Sequence, residues 1–291
     1  MRETFASSVS TNGMEHAYMS TEAPPAEARA TLTRINLSRT DIETLPGWIA
    51  ECAQLRELDL CRCMRLVTLP DWIGRLGALQ KLYLAGSGIQ TLPRTLGWLH
   101  SLRELDLSWC KGLAALPNAL AGLAQLATVS LVHSGIAMLP PSFCELEALT
   151  DLYMDECKLL RTLPKNFGEL ASLTRLSLRR SGVNALPARL RKLTGLRELD
   201  LSACWNLKTL PALPTGLDTL NLSYTNVAQL PTCLPRLVKL RELDLTGCKQ
   251  LRVSAAELEA LPALWVLTIA ETEIVHVLGP AGLEQVRALF V

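Results

Sequence analysis

A chain of 291 residues with a net charge of +1 has room for two ordinary domains or one long repeat array, and it lacks the charge to be drawn to DNA, RNA or anionic lipid. Hydrophobic residues make up 49 % and aromatics only 5 %, so a core is available but must be built of Leu, Val, Ile and Ala. No run of about 18 apolar residues exists to span a membrane, and no cationic stretch followed by an apolar one opens the chain as a cleavable leader would.

Residues 1–30 are rich in Ser, Thr, Ala and Glu, carry Pro24-Pro25 and show no apolar period. Such a stretch buries too little surface to offset its ordering entropy, which predicts a disordered lead-in. From residue 31 to 278 the chain is periodic. The pattern L-x-x-L-x-L begins at Leu32, Leu55, Leu79, Leu102, Leu126, Leu149, Leu173, Leu196, Leu217, Leu240 and Leu264, with Val129 and Met154 as substitutions. These are eleven coils, stepped by 21 to 24 residues.

The x-L-x-L-x part of each coil has a period of two, which predicts a short strand with leucines inward and the intervening residues outward. The ninth residue alternates. It is Cys63, Cys110, Cys157, Cys204 or Cys248 in one kind of coil, and Thr40, Ser87, Ser134, Ser181, Thr225 or Thr272 in the other. The Cys coils carry one extra residue after it, so the true unit is a pair of coils of about 47 residues. A small polar or thiol side chain there is expected to face inward and bond backbone left unpaired beyond the strand.

Leu-Pro follows in nine coils, first at Leu45-Pro46, and apolar residues stand three and six positions after the Pro. That predicts a short helical turn on a wider, convex arc. After Leu210-Pro211 only Ala212-Leu213-Pro214-Thr215-Gly216 remain before the next coil, so no helix is expected there. Within residues 279–291, Leu283, Val286 and Leu289 form a stripe suited to a C-terminal capping helix, and the apolar end leaves room for a longer parent chain.

No constellation for catalysis is found. The five ninth-position cysteines follow the repeat and sit two strands apart, roughly 9–10 Å, too far for disulfides. A single file of thiols does not converge on a metal. His16, His100, His133 and His276 lie in no metal spacing and beside no Ser/Asp pair, and Gly86-Ser87-Gly88 lies in a coil turn rather than before a long helix. No cofactor is expected. Arg-Glu-Leu-Asp-Leu recurs at 56–60, 103–107, 197–201 and 241–245, which reads as a self-paired, solvated face.

Binding residues are sought where the repeat departs from itself. Tyr83 and Tyr153 replace Asp, Ser or Asn at an outward strand position, and Asp155 and Arg179 stand at the next one. At the strand's end are Trp109, His133, Glu156, Arg180 and Tyr224. Aromatics and Arg are enriched at binding hot spots, so these nine residues are the candidate protein-binding set on the concave face. Trp48 and Trp72, which hold the same place on the outer arc of adjacent coils, are the rival patch or an N-terminal cap.

The Cys coil LRELDLSWCKGLAALP and the Thr coil LTRINLSRTDIETLP identify a leucine-rich repeat protein. Their alternation resembles the repeat region of plant TIR-type immune receptors and the plant-style, PopC-like type III effectors of bacteria. The short coil LPALPTGLDTLNLSYTNVAQLP resembles the repeats of YopM and IpaH proteins. The resemblance covers 32 to about 277 and implies an α/β leucine-rich repeat solenoid: a curved right-handed superhelix with a parallel β-ladder on its concave side and short helices on its convex side. It implies a non-catalytic module that binds a protein partner, a host protein, with neither nucleic acid nor a membrane span, and oligomeric state left open. The Ser/Thr-rich start would suit a type III signal, so the chain would be made in the bacterial cytoplasm and exported, uncleaved, into a host cell. One alternative is a cytoplasmic scaffold or signalling adaptor. Another is the recognition part of a longer ubiquitin ligase, although no cysteine here has the Asp two places on that such a domain carries.

Overall fold

Every coil begins with apolar residues at alternate positions, and the chain answers by laying each coil's strand beside the one before it. The computed structural model describes residues 17–272. Within them, coils one to six contribute β2 (Arg34–Asn36), β3 (Glu57–Asp59), β4 (Lys81–Tyr83), β5 (Glu104–Asp106), β6 (Thr128–Ser130) and β7 (Asp151–Tyr153). Coils seven to eleven contribute β8 (Arg175–Ser177), β9 (Glu198–Asp200), β10 (Thr219–Asn221), β11 (Glu242–Asp244) and β12 (Val266–Thr268). A two-residue strand, β1 (Ala17–Tyr18), precedes them, and the twelve form one parallel sheet whose spatial order is the chain order. The expected eleven-coil solenoid is therefore present.

Register follows from the inward leucines. Leu58 pairs with Leu82, Leu82 with Leu105, Leu152 with Leu176 and Leu176 with Leu199, so the middle residue of each strand stacks on its counterpart in the core. Slipping one residue would turn every leucine to solvent. The inter-coil ladder runs on past the strands: the sixth residue of a coil donates to the fifth of the next, as Leu107 to Ser130 at 2.8 Å, and the eighth to the seventh, as Trp109 to Val132 at 2.7 Å.

At the ninth position the inward-facing expectation holds, and the reason for the alternation becomes visible. The Cys157 thiol donates to the Leu131 carbonyl of the preceding coil at 3.0 Å and lies 3.5 Å from the Ser134 hydroxyl. Cys63, Cys110, Cys204 and Cys248 repeat this geometry on Leu37, Leu84, Leu178 and Leu222. Burial pushes the thiols of Cys110, Cys157, Cys204 and Cys248 up, which keeps them as neutral S–H donors. The nine cysteines form no disulfide.

The outer arcs are 3₁₀ turns rather than α-helices, among them Gly47–Glu51, Asp71–Arg75, Arg94–Trp98, Asn118–Gly122 and Ala188–Lys192. Apolar residues three apart eclipse on a three-residue turn, and Ile49 N–H donates to Pro46 at 3.1 Å in the corresponding i→i+3 bond. The coil after Leu210-Pro211 has no helix before β10, as expected. An α-helix on an outer arc, α2 (Ala255–Glu259), occurs where Ser254 and Glu257 build a capping box in place of Leu-Pro.

Residues 17–30 of the expected lead-in carry short elements: β1 adds to β2, α1 (Ala26–Arg29) follows, and Arg29 pairs with Glu51 at 2.8 Å. The Trp48 indole N–H donates to the Thr21 carbonyl at 3.2 Å, and Tyr18 meets its ring edge-on at 5.4 Å. Trp48 is thus sealed beneath the lead-in as an N-terminal cap, and Trp72 is partly buried against the core, so the rival outer patch is lost. Residues 1–16 of the expected export signal at 1–30, and the capping helix expected at 279–291, lie outside the described residues.

Candidate functional site

The eighth residue of every coil has a positive φ, between 53° and 69°. There the chain leaves the ladder and turns toward the convex side. Glycine suits such a position, and Gly86 and Gly247 occupy it in two coils. The other nine residues carry side chains: Arg39, Arg62, Trp109, His133, Glu156, Arg180, Ala203, Tyr224 and Glu271. All five candidates placed at the strand's end belong to this column. They stand on the rim of the sheet, beyond the last strand residue, rather than on the concave face itself.

The ladder holds the column at strand spacing, so successive coils bring their eighth residues together. The rings of Trp109 and His133 stack 3.9 Å apart at 20°. Glu156 on the next coil bonds Lys158 at 2.7 Å and Arg180 at 3.3 Å. Those contacts, Lys158 first, hold the Glu156 carboxyl below the ordinary range. Lys158 also donates to the Arg180 carbonyl at 2.9 Å and sits 5.3 Å from the centre of the Trp205 ring. Lys111 lies 6.0 Å from the centre of the Trp109 ring. The result is one continuous surface over coils four to eight: Trp109, Lys111, His133, Glu156, Lys158, Arg180 and Trp205.

Three of these, Lys111, Lys158 and Trp205, were not among the sequence candidates. They occupy the extra residue that follows the ladder cysteine in Cys coils. The signal lay in the sequence: an insertion that serves only to lengthen a turn does not need Lys, Lys and Trp. The coils between lack that extra residue and carry Gly135 and Gly182 directly after their ninth-position Ser. A Cβ on either would stand 2.2 Å from the carbonyl oxygen of Lys111 or Lys158, so only glycine lets neighbouring coils close.

Tyr224 stands apart, with its hydroxyl directed at Glu271 two coils on at 3.5 Å. Its ring covers Gly247, where a Cβ would lie 2.4 Å from it. Tyr83 and Tyr153 do lie on the sheet face, three strands apart, about 14 Å, and do not meet. The Tyr83 hydroxyl donates to Glu104 at 3.0 Å, and burial first, then Glu104, pushes its phenol up.

Asp155 serves the fold. In coils with Asp or Asn at the fifth position that carboxylate or amide accepts the seventh residue's N–H, as Asp106 does from Ser108 at 2.9 Å. Coil seven has Ser177 there instead, and Asp155 of the preceding coil accepts both the Ser177 hydroxyl and the Arg179 N–H. Burial raises its pKa against those bonds. The Arg179 side chain remains exposed and makes no ion pair within 4.0 Å among the described residues.

The sheet face itself is acidic. In coils four to eight its third and fifth positions hold Glu104, Asp106, Asp151, Glu198 and Asp200 against Arg175 alone, which pairs with Asp151 at 2.9 Å and Glu198 at 3.5 Å. Among the described residues no group of three or more His, Cys, Asp or Glu is placed to hold a metal ion, and no helix is long and apolar enough to cross a membrane.

Residues 94–213 match the family described as leucine-rich repeat region, and residues 54–76 match leucine rich repeat. No curated protein matches the chain. Among solved structures it is similar to a leucine-rich repeat protein of Leptospira interrogans at 25 % identity and TM-score 0.59, over 89 % of this chain and 82 % of that one. It is similar to the leucine-rich repeat domain of the type III effector XopL at 25 % identity and TM-score 0.54, over 80 % and 74 %. A chain of the Toll–Spatzle complex of Drosophila aligns at 25 % identity and TM-score 0.69, over 86 % of this chain and 36 % of that one.

Proposed function

Because this chain is a leucine-rich repeat protein, a class that binds proteins, we propose that it is a non-catalytic interaction module of a bacterial type III effector that engages a host protein. One observation carries the binding part: Trp109, His133 and Arg180 stand in a column of left-handed positions, three of which are filled by Gly86, Ala203 and Gly247, and their side chains make no core. Left-handed backbone costs a residue with a Cβ about 1–2 kcal/mol, so the fold alone would favour Gly at these sites. Trp and Arg on a rigid ladder match the composition of binding hot spots. The effector part is supported by the likeness to the XopL repeat domain and by the plant-style alternation of Cys and Ser/Thr coils.

Two measurements test it. The full chain, immobilised and exposed to host-cell extract, should capture a discrete partner, and Trp109→Gly combined with Arg180→Ala should abolish capture while circular dichroism stays unchanged. Undiminished capture by that variant refutes the rim as the binding surface. Separately, residues 1–30 fused to a reporter should enter host cells in a secretion-dependent manner; retention in the bacterium refutes the effector role and leaves a cytoplasmic adaptor.

A further inference from the structure

The rim over coils four to eight differs in charge from the sheet beside it. Its cations are Lys111, Lys158, Arg179 and Arg180, and its acids are Asp155 and Glu156. Both acids are engaged: Asp155 accepts from Ser177 and Arg179, and Glu156 accepts from Lys158 and Arg180. Neither Lys111 nor Arg179 makes an ion pair within 4.0 Å among the described residues. Indole rings bracket these cations, with Trp109 50 % and Trp205 52 % exposed. Inward of the rim lies the acidic sheet face. With an overall charge of only +1, this is segregation rather than general basicity.

Resting on the protein-binding reading above, we propose that this rim docks an acidic segment of the partner, with carboxylates on Lys111, Lys158, Arg179 and Arg180 and apolar side chains on Trp109 and Trp205. The rim attracts such a segment while Glu104, Asp106, Asp151, Glu198 and Asp200 repel it from the concave face, which confines it to the strand ends. Charge complementarity of this kind sets specificity and speeds encounter. The exposed rings add the desolvated anchors that charges alone lack.

The test uses the full chain and dye-labelled peptides read by fluorescence anisotropy: one of Glu and Asp with interspersed Leu and Phe, one with Gln and Asn in place of the acids, one with Lys. The acidic peptide alone should bind saturably, more weakly as salt rises from about 50 to about 300 mM. Lys111→Glu with Arg179→Glu should weaken it about tenfold or more, as loss of paired charges does. Trp109→Gly with Trp205→Ala should do the same, whereas Arg236→Glu on the outer arc should not. Thermal melts check folding, and single Lys111→Gln and Arg179→Gln variants serve if a double variant unfolds.

Equal binding of the neutral or Lys peptide, equal competition by single-stranded RNA, or indifference to the rim variants overturns the proposal. If host partner capture depends on the rim but the acidic peptide does not bind, protein binding stands and the acidic chemistry falls. If the peptide binds through the rim and no host partner is captured, the acidic chemistry stands and the host-binding reading falls.

Discussion

A Trp in left-handed backbone is a local conflict, because its Cβ crowds the following carbonyl where Gly has none. Trp109 accepts this conflict, partly offset by stacking on His133, which is worth about 0.5–1.5 kcal/mol. Relief of backbone strain and loss of stacking nearly cancel, so Trp109→Gly should change unfolding free energy by less than about 1 kcal/mol. The inward leucines behave oppositely. Leu105 and Leu199 are each 1 % exposed, and truncation to Ala should cost about 2–5 kcal/mol by urea unfolding. A cost under about 0.5 kcal/mol would contradict the register. Asp155 and Glu156, neighbours in sequence, should respond to pH with opposite signs. Glu156 has a folded pKa below its unfolded value of about 4.3, so its contribution is full above that pH and fades as pH falls through the lowered value. Asp155 has a folded pKa above its unfolded value of about 3.9, so its contribution is full below that pH and is lost as pH rises through the raised value. At pH 7 Glu156→Gln should therefore lower stability slightly, the effect being small because Lys158 and Arg180 are half exposed. Asp155→Asn should raise it, and both differences should shrink toward acid in urea titrations.

The working element is the pair of coils, not the coil. A Cys coil reaches back by its thiol to a Leu carbonyl of the Ser/Thr coil before it, and the Ser/Thr coil after it closes down on the inserted residue. That closure explains Gly88, Gly135 and Gly182, each of whose Cβ would come within 2.2 Å of a carbonyl oxygen of the preceding coil. Gly135→Ala must push backbone against backbone, so it should cost about 1–3 kcal/mol as an overpacking substitution. It should also loosen the Trp109–His133 stack, visible in indole fluorescence. The same closure positions the insert residues beside the eighth-residue column, so the pairing that stabilises the array also builds the rim.

At the scale of the whole molecule the described array has a weak joint between coils eight and nine. Outer bridges Thr68–Thr91, Ala115–Met138 and Thr162–Ala185 tie the Cys coils two, four and six to the next, but coils eight and nine lack a matching pair among the described residues, and Gln229 bridges Arg252 instead. A cleft of about 310 Å³ opens there, lined by Lys208, Thr209, Leu210, Ala228, Gln229 and Pro231. The cause is the shortened arc with Pro211 and Pro214, which removes one 3₁₀ turn from the outer stack. In a solenoid stability is nearly a sum of neighbour contacts, so a missing contact weakens one interface without weakening the rest. The Ala228 N–H, bonded to Lys208 at 3.2 Å, should exchange with deuterium faster than the Gln90 N–H, bonded to Val67 at 2.9 Å. Equal protection would mean that the outer arc contributes little to the joint.

The periodic leucines, by themselves, determined the coil count, the parallel order, the inward ninth residue and the missing helix after Pro211. Each of these follows from side chains that recur at one address, and recurrence is visible in one dimension. The column of Trp109, His133, Glu156, Arg180 and Tyr224 was also legible as a departure from the repeat. What only the tertiary structure decided are the relations between addresses in different coils: that the column stands on the rim, that Lys158 reaches Trp205 across 47 residues of sequence, that Asp155 is spent on the backbone of Arg179, and that Tyr18 and Thr21 seal Trp48. Those contacts depend on how closely coils stack and how the chain turns at a positive φ, neither of which any single coil's composition encodes.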